Sequence, residues 1–322
     1  MVNARFLIAL LFLSAALISC NAIRSTAGAG YRSATGLFSS PREIQNKITS
    51  PVREDARLAV LWIGHATVLL QLDDKFILTD PNLTPTSGMF SKRIVEPGID
   101  PANLPPLDAV LISHMHVDHL SYGSLDLLEK KTKQLIVPEG GLVYIPNYDF
   151  ETDELKTWEK WESGGLRVTA VPVMHIGWRY GLDDAWMKKS FAGYIIEYNG
   201  MTVYFGGDTG YDSLLFRQTY SMFPSIDLAL LPIAPIHPHE YTSGRHADPA
   251  DAIAIMRDLH ARRMIPIHFD TYRESIDSLG EAAATLRALI AEQQLTDEQV
   301  VILRIGEQAV LIPKQARAPG TH

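Results

Sequence analysis

Four short apolar runs in this chain of 322 residues each stop at a side chain able to bind a metal. "DAVLIS" leads into His114, "TAVPVM" into His175, "TVYFGG" into Asp208 and "MIPI" into His268. Apolar runs this short, bounded by polar or turn residues, read as strands buried on both faces. A fold that draws polar side chains from the ends of several such strands gathers them at one rim of a sheet. A single His at a strand end is usually structural. Repetition of the placement is what constrains the chain.

The first of these endings continues as "LISHMHVDHL", with His114, His116, Asp118 and His119 close together. Alternate side chains of an extended segment point the same way, so His114 and His116 can share one metal. Asp118 and His119 then reach a second metal as the chain turns into a helix. Two four-coordinate metals need about eight ligand positions. His175, Asp208 and His268 bring the inventory to seven residues, and one bridging carboxylate supplies the remaining position. Metals held ~3.5–4 Å apart can bridge a hydroxide and polarise a phosphoryl or carbonyl oxygen. Cys20 is the only cysteine, which excludes a thiolate zinc site and a disulfide framework. Imidazole and carboxylate donors suit two divalent ions, zinc first, with iron or manganese also compatible.

Other segments fill in the architecture. "RLAVLWIG", "TVLLQLD", "KFILTDP", "KQLIVPEG" and "DLALLPI" read as strands, with tight turns at Asp73-Asp74 and Asn199-Gly200. "VVILRIGEQAVLI" reads as two strands about a glycine turn. "YGSLDLLEKK", "DPADAIAIMRDLHARR" and "LGEAAATLRALIAEQ" read as helices, the second with Asp248 as N-cap and Pro249 in its first turn. Strands cluster early and helices fall between later strands, which predicts an α/β sandwich of two sheets with helices outside. The net charge is −8 and no basic run is present, so nucleic acid is excluded as a partner.

The N-terminus "MVNARFLIALLFLSAALISC" has a basic Arg5 and an apolar run from Phe6 to Ile18. That run is short for a membrane span and suits a secretory signal. "LISC" resembles a bacterial lipoprotein lipobox, with Cys20 as the lipidated residue. The expected organisation is a signal peptide at 1–19, a flexible tether at 20–56, a folded domain at 57–314 and a tail at 315–322. The expected location is the bacterial cell envelope, exported, lipid-anchored and facing the periplasm. Asn21 in place of Asp keeps the outer membrane open as an address.

His-x-His-x-Asp-His, followed by "PVMH", "GGDTGY" and "IPIHF", resembles the metallo-β-lactamase fold superfamily over residues 58–312. "WIGHATVLLQLDDKFILTDP", "FGGDTG" and "HADPADA" are similar to a narrower branch. It contains the N-acyl-phosphatidylethanolamine-hydrolysing phospholipase D and the ascorbate-phosphate lactonases, and the phospholipase side is the closer. The resemblance implies an αββα four-layer sandwich with a dinuclear, usually zinc, centre. His114, His116 and His175 would bind the first metal, and Asp118, His119 and His268 the second. Asp208 would bridge them, and a hydroxide between the metals would be the nucleophile. Asp118 is thus a ligand and a catalytic group. His246 would lie in the active site, binding phosphate or protonating the leaving group.

Asp80 and His65 are expected to orient ligand imidazoles. "HIGWRYGLDDAWMKK" offers Trp178, Arg179, Tyr180, Trp186, Met187, Lys188 and Lys189 as a wall for a substrate with apolar and anionic parts. His237 and His239 belong to the other expected wall, and Trp158 and Trp161 are expected to pack into the core. The expected reaction is hydrolysis of a phosphodiester, in a small molecule or a phospholipid. The alternatives are a lactonase or other carboxylic-ester or amide hydrolase, and a non-catalytic metal-binding envelope protein.

Overall fold

The computed structural model describes residues 40–314, apart from 46, 89–90, 181–182, 184–188 and 274. The expected signal peptide, Cys20, the tail, Trp186, Met187 and Lys188 lie outside the described residues. In chain order the strands begin with β1 (Ala56–Gly64), β2 (Thr67–Leu72), β3 (Lys75–Thr79), β4 (Thr86–Ser87), β5 (Ser91–Lys92), β6 (Ala109–Leu111), β7 (Gln134–Pro138) and β8 (Glu151–Leu155). They continue with β9 (Lys160–Ser163), β10 (Leu166–Val171), β11 (Gly193–Tyr198), β12 (Met201–Phe205), β13 (Leu228–Pro232), β14 (Met264–Ile267) and β15 (Gln308–Pro313). The helices are α1 (Tyr122–Leu128), α2 (Ser213–Met222), α3 (His239–Thr242), α4 (Pro249–Asp258) and α5 (Glu281–Glu292).

The strands form a seven-stranded sheet, ordered β15-β1-β2-β3-β6-β7-β8, and a six-stranded sheet, ordered β14-β13-β12-β11-β10-β9; β4 and β5 pair separately. Strand β1 shows why this becomes four layers. Leu58, Val60 and Trp62 join a core shared with Val168, Ile196 and Val203 of the second sheet. Leu61 and Ile63, pointing the other way, join a core closed by Leu125 and Leu128 of α1. Ala252, Ile253, Ala283 and Leu286 pack α4 and α5 onto the second sheet's side of the structure. The result is the αββα sandwich. Helix starts follow local chemistry: Asp248 accepts from the Ala250 and Asp251 amides, and Ser121 from the Ser124 amide.

Strand direction then fixes the rim. β3 runs parallel to β6, and β12, β13 and β14 are mutually parallel. β10 runs with β12 because both are antiparallel to β11. The C-terminal ends of β3 and β6, and those of β10, β12 and β14, therefore share one rim. Backbone hydrogen bonds join the two sheets there. Ala192 N–H donates to Ser113 O at 2.8 Å, and His268 N–H donates to His65 O at 3.0 Å.

Two expectations need correction. Residues 42–45 and 47–56 are part of the folded body and not a tether. The Arg42 and Glu96 amides donate to Ile94 O and Arg42 O, Lys47 pairs with Glu96 at 2.7 Å, and Arg53 exchanges hydrogen bonds with the Gln71 side chain. The run "VVILRI" forms no named strand. Val300 bridges Met264 at the edge of the second sheet, and the chain then crosses to the first, where the Gly306 amide donates to Trp62 O. Strand β8, "ETDEL", was not legible because it is an edge strand with little apolar alternation.

Trp62 stacks on Phe269 at 4.5 Å, and its Nε1–H donates to His65 O at 2.9 Å. Trp62→Ala is expected to cost about 3–5 kcal/mol of stability, measured by urea denaturation.

Candidate metal centre

The rim is organised by Asp80, which follows β3 and is fully buried. Its Oδ1 accepts from the Ser113 amide at 2.6 Å, and its Oδ2 from the Ser113 hydroxyl at 2.6 Å and from His119 Nδ1–H at 2.7 Å. The Ser113 Oγ in turn lies 2.9 Å from His114 Nδ1. One carboxylate thus orients a histidine directly and a second through a serine, turning both Nε2 atoms inward. On the second sheet, His175 Nδ1 is held by Arg245 O at 2.8 Å and His268 Nδ1 by Ala234 O at 3.2 Å. Asp208 reaches the rim through Gly206-Gly207. A Cβ on Gly207, whose φ is 56°, would lie 2.3 Å from Ser113 Cβ, so only glycine allows this approach.

The donors fall into groups whose ligand atoms lie within 4.8 Å of one another. His114, His116 and His175 form one, and Asp118, His119, His268 and His65 another. Asp208 lies between them: its Oδ2 is 3.9 Å from His114 Nε2, 3.9 Å from His175 Nε2 and 3.4 Å from His119 Nε2. Its Oδ1 is 3.1 Å from His268 Nε2. Every residue expected as a ligand is therefore brought to this rim. His246 Nδ1 stands 3.4 Å from Asp208 Oδ2, and His65 Nε2–H donates to Asp118 Oδ2 at 3.0 Å. The buried Nε2 atoms of His119 and His175 find no hydrogen-bond partner. Convergent imidazoles lacking a partner, with carboxylates among them, are a donor set that fits divalent metal.

The electrostatics agree. Burial would raise Asp208, but His268, His119 and His246 outweigh it and hold the carboxyl well below its usual range. Asp118 is likewise held well below, by His119 and His65 against burial. Burial keeps His114 and His175 well below the imidazole range, so their nitrogen lone pairs are available. His119 is the exception. Burial would lower it, yet Asp208, Asp118 and Asp80 hold it well above the usual range. Burial pushes His65 down to about 3 and His246 to about 4, although Asp118 and Asp208 respectively pull the other way.

Residues 75–269 match the family model described as the β-lactamase superfamily domain. The chain belongs to the metallo-β-lactamase fold superfamily. It is a metal-dependent hydrolase of that superfamily, with His and Asp clusters able to bind metal. The hydrolase is 28% identical to N-acyl-phosphatidylethanolamine-hydrolyzing phospholipase D 1 of Caenorhabditis elegans, over 88% of this chain and 85% of that protein. It is 31% identical to a UPF0173 metal-dependent hydrolase of Methanoregula boonei, over 79% of this chain and 98% of that one. Among solved structures it resembles Igni18, a metallo hydrolase of Ignicoccus hospitalis, with TM-score 0.59 and 19% identity over 78% of this chain and 97% of that one. This last likeness concerns the fold.

Several expected wall residues sit elsewhere. His237 turns to Glu281 at the start of α5, 3.2 Å away, and its amide donates to Asp277. His239, on α3, lies 4.0 Å from the Asp248 cap of α4. Neither joins the centre, because the segment after β13 turns toward the helices. Arg179 points inward, with Nη1 donating to Met115 O and Leu120 O. Tyr180 is exposed, and Trp158 and Trp161 pack partly buried against the main core. The hydrolase also uses residues the sequence reading missed. Buried Arg93 donates to Val95 O, Asn82 O and Ile63 O, and Asn82 Nδ2 donates to Asp118 O at 2.9 Å. A small cleft of about 40 Å³ is lined by His65 and His268 together with Thr271, Tyr272, Arg273 and Ser275. "FDTYRESIDSLG" carries no periodic signal that would mark it as a wall.

Asp208, Asp118 and Asp80 bias His119 toward its protonated form, and a metal at its Nε2 would have to displace that proton. Zinc titration in buffers of different ionisation heat is expected to show about one proton released per chain at pH 7, with affinity rising as pH rises. Absence of proton release would show His119 to be neutral beforehand.

Proposed function

We propose that the hydrolase cleaves phosphodiesters, of the phospholipid class named for its nematode relative, at a dinuclear centre. His114, His116 and His175 would hold one metal and Asp118, His119 and His268 the other, with Asp208 within reach of both sets and zinc as the preferred ion. When bound, such a pair supplies an activated water and neutralises charge developing on phosphoryl oxygens. The observation that carries the reading is His246 beside Asp208, the carboxylate common to both histidine groups. A neutral imidazole there offers an N–H to a phosphoryl or leaving-group oxygen. His65 keeps Asp118 ionised and oriented by donating to Oδ2. The likeness to N-acyl-phosphatidylethanolamine-hydrolyzing phospholipase D 1, which extends along 88% of this chain, supports the phosphodiester over a carboxylic ester.

The zinc- or manganese-loaded protein should hydrolyse bis(p-nitrophenyl) phosphate and N-acyl-phosphatidylethanolamine vesicles. Asp118→Ala with His119→Ala should abolish turnover, and His246→Ala should lower kcat by about 10²–10⁴. Strong turnover of a lactone panel without phosphodiester turnover would move the assignment to a lactonase.

We further propose that Cys20 is lipidated and holds the hydrolase at the periplasmic face of a bacterial envelope membrane. The motif "LISC" behind an apolar run supports this. In cells fed labelled palmitate, the wild-type chain should carry label and sediment with membranes. Cys20→Ser should lose both properties.

A further inference from the structure

Among the histidines proposed to bind metal, His114, His119, His175 and His268 each have Nδ1 facing an acceptor. Such outer partners fix the ring and raise its basicity. His116 is built differently. Its Nδ1 faces His114 Nε2 at 2.8 Å, so it presents Nδ1 to the group, and its buried Nε2 has no hydrogen-bond partner. Something other than an outer acceptor must hold this ring.

The segment that follows His175 supplies it. The Trp178 ring meets the His116 ring edge-on, at 4.9 Å and 74°. Arg179 Nη1 donates to Met115 O at 3.1 Å and to Leu120 O at 2.9 Å, the carbonyls on either side of residues 116–119. Its guanidinium lies 4.1 Å from the ring centre of Tyr122, the first residue of α1. The clip is itself secured. Asp183 accepts from the Arg179 and Tyr180 amides at 3.0 Å each and from the Tyr144 hydroxyl. Gly177 abuts Ser190 so closely that a Cβ would lie 2.4 Å from Ser190 O.

We propose that Trp178 and Arg179 are positioning residues for His116, taking the place of the missing outer acceptor, and that metal capture by His114, His116 and His175 depends on them. The proposal rests on reading that group as a metal site. It reassigns Arg179 from contact with a substrate anion to support of the ligand loop. Lysine is a poor substitute, because a compact ammonium lacks the planar face that lies over Tyr122.

The test uses the full chain, stripped with chelator and titrated with zinc against a chromophoric competitor, with visible spectra of the cobalt-loaded form. Wild type should bind two ions. Arg179→Met should weaken one of them by about 10–100-fold and alter the cobalt spectrum of that site alone. Arg179→Lys should recover part of the loss, Trp178→Phe should weaken the same site, and KM at saturating metal should stay at the wild-type value. Thermal unfolding of the stripped proteins identifies any variant that does not fold. Should Arg179→Met be one, Arg179→Lys and Trp178→Phe decide the matter. Unchanged affinity at both sites with a raised KM would overturn the positioning role and return Arg179 to the substrate. Wild type that takes up no metal would instead sink the metal-centre reading itself.

Discussion

A carboxylate shut away from water survives as an anion only among groups that share charge or protons with it. Asp208 is 2% exposed, and imidazoles are what hold its charge. They come from both sheets. His114 and His119 come from the loop after β6, His175 and His246 from the second sheet's side, and His268 from the end of β14. Meeting that requirement explains why strands of two sheets must end at one rim, and why Gly207 must let Asp208 approach Ser113.

The loops that carry the donors are irregular, so their carbonyls lack the partners a helix or sheet would supply. Two arginines meet this need. Arg93 serves the carbonyls near His65 and Asn82, and Arg179 those around His116–His119. Each has more than one donor to spend and a flat face to lay near a tyrosine, Tyr272 or Tyr122. Arginine here works as backbone scaffolding, with its charge shared over several carbonyl dipoles.

Much of the centre could be read from the chain because strand ends are visible as places where apolar runs stop. His114, His175, Asp208 and His268 all sit at such stops, and the structure brings them together. Side-chain direction is what a linear pattern omits. Arg179 in "GWRYG" looks like a surface cation and turns inward, while His237 beside two prolines looks like a wall and turns to Glu281. Arg93 in "SKRIVEP" sits next to a lysine and carries no mark of burial, yet it is almost wholly buried. Residues 42–45 and 47–56 were obscured for a related reason. Their composition is that of a linker, and their order comes from partners such as Gln71 and Glu96, distant in sequence.

The backbone bonds from Ala192 to Ser113 and from His268 to His65 clamp the sandwich at one end. The opposite end is fastened differently: Arg57 donates to Asn199 O, Asn199 Nδ2 to Asp73 and the Tyr198 hydroxyl to Asp74, all exposed. Buried backbone pairs thus hold the histidine end, and side-chain bonds open to water hold the far one. Partial opening of the hydrolase would therefore start at the far end, where water and salt compete, and leave the donors gathered.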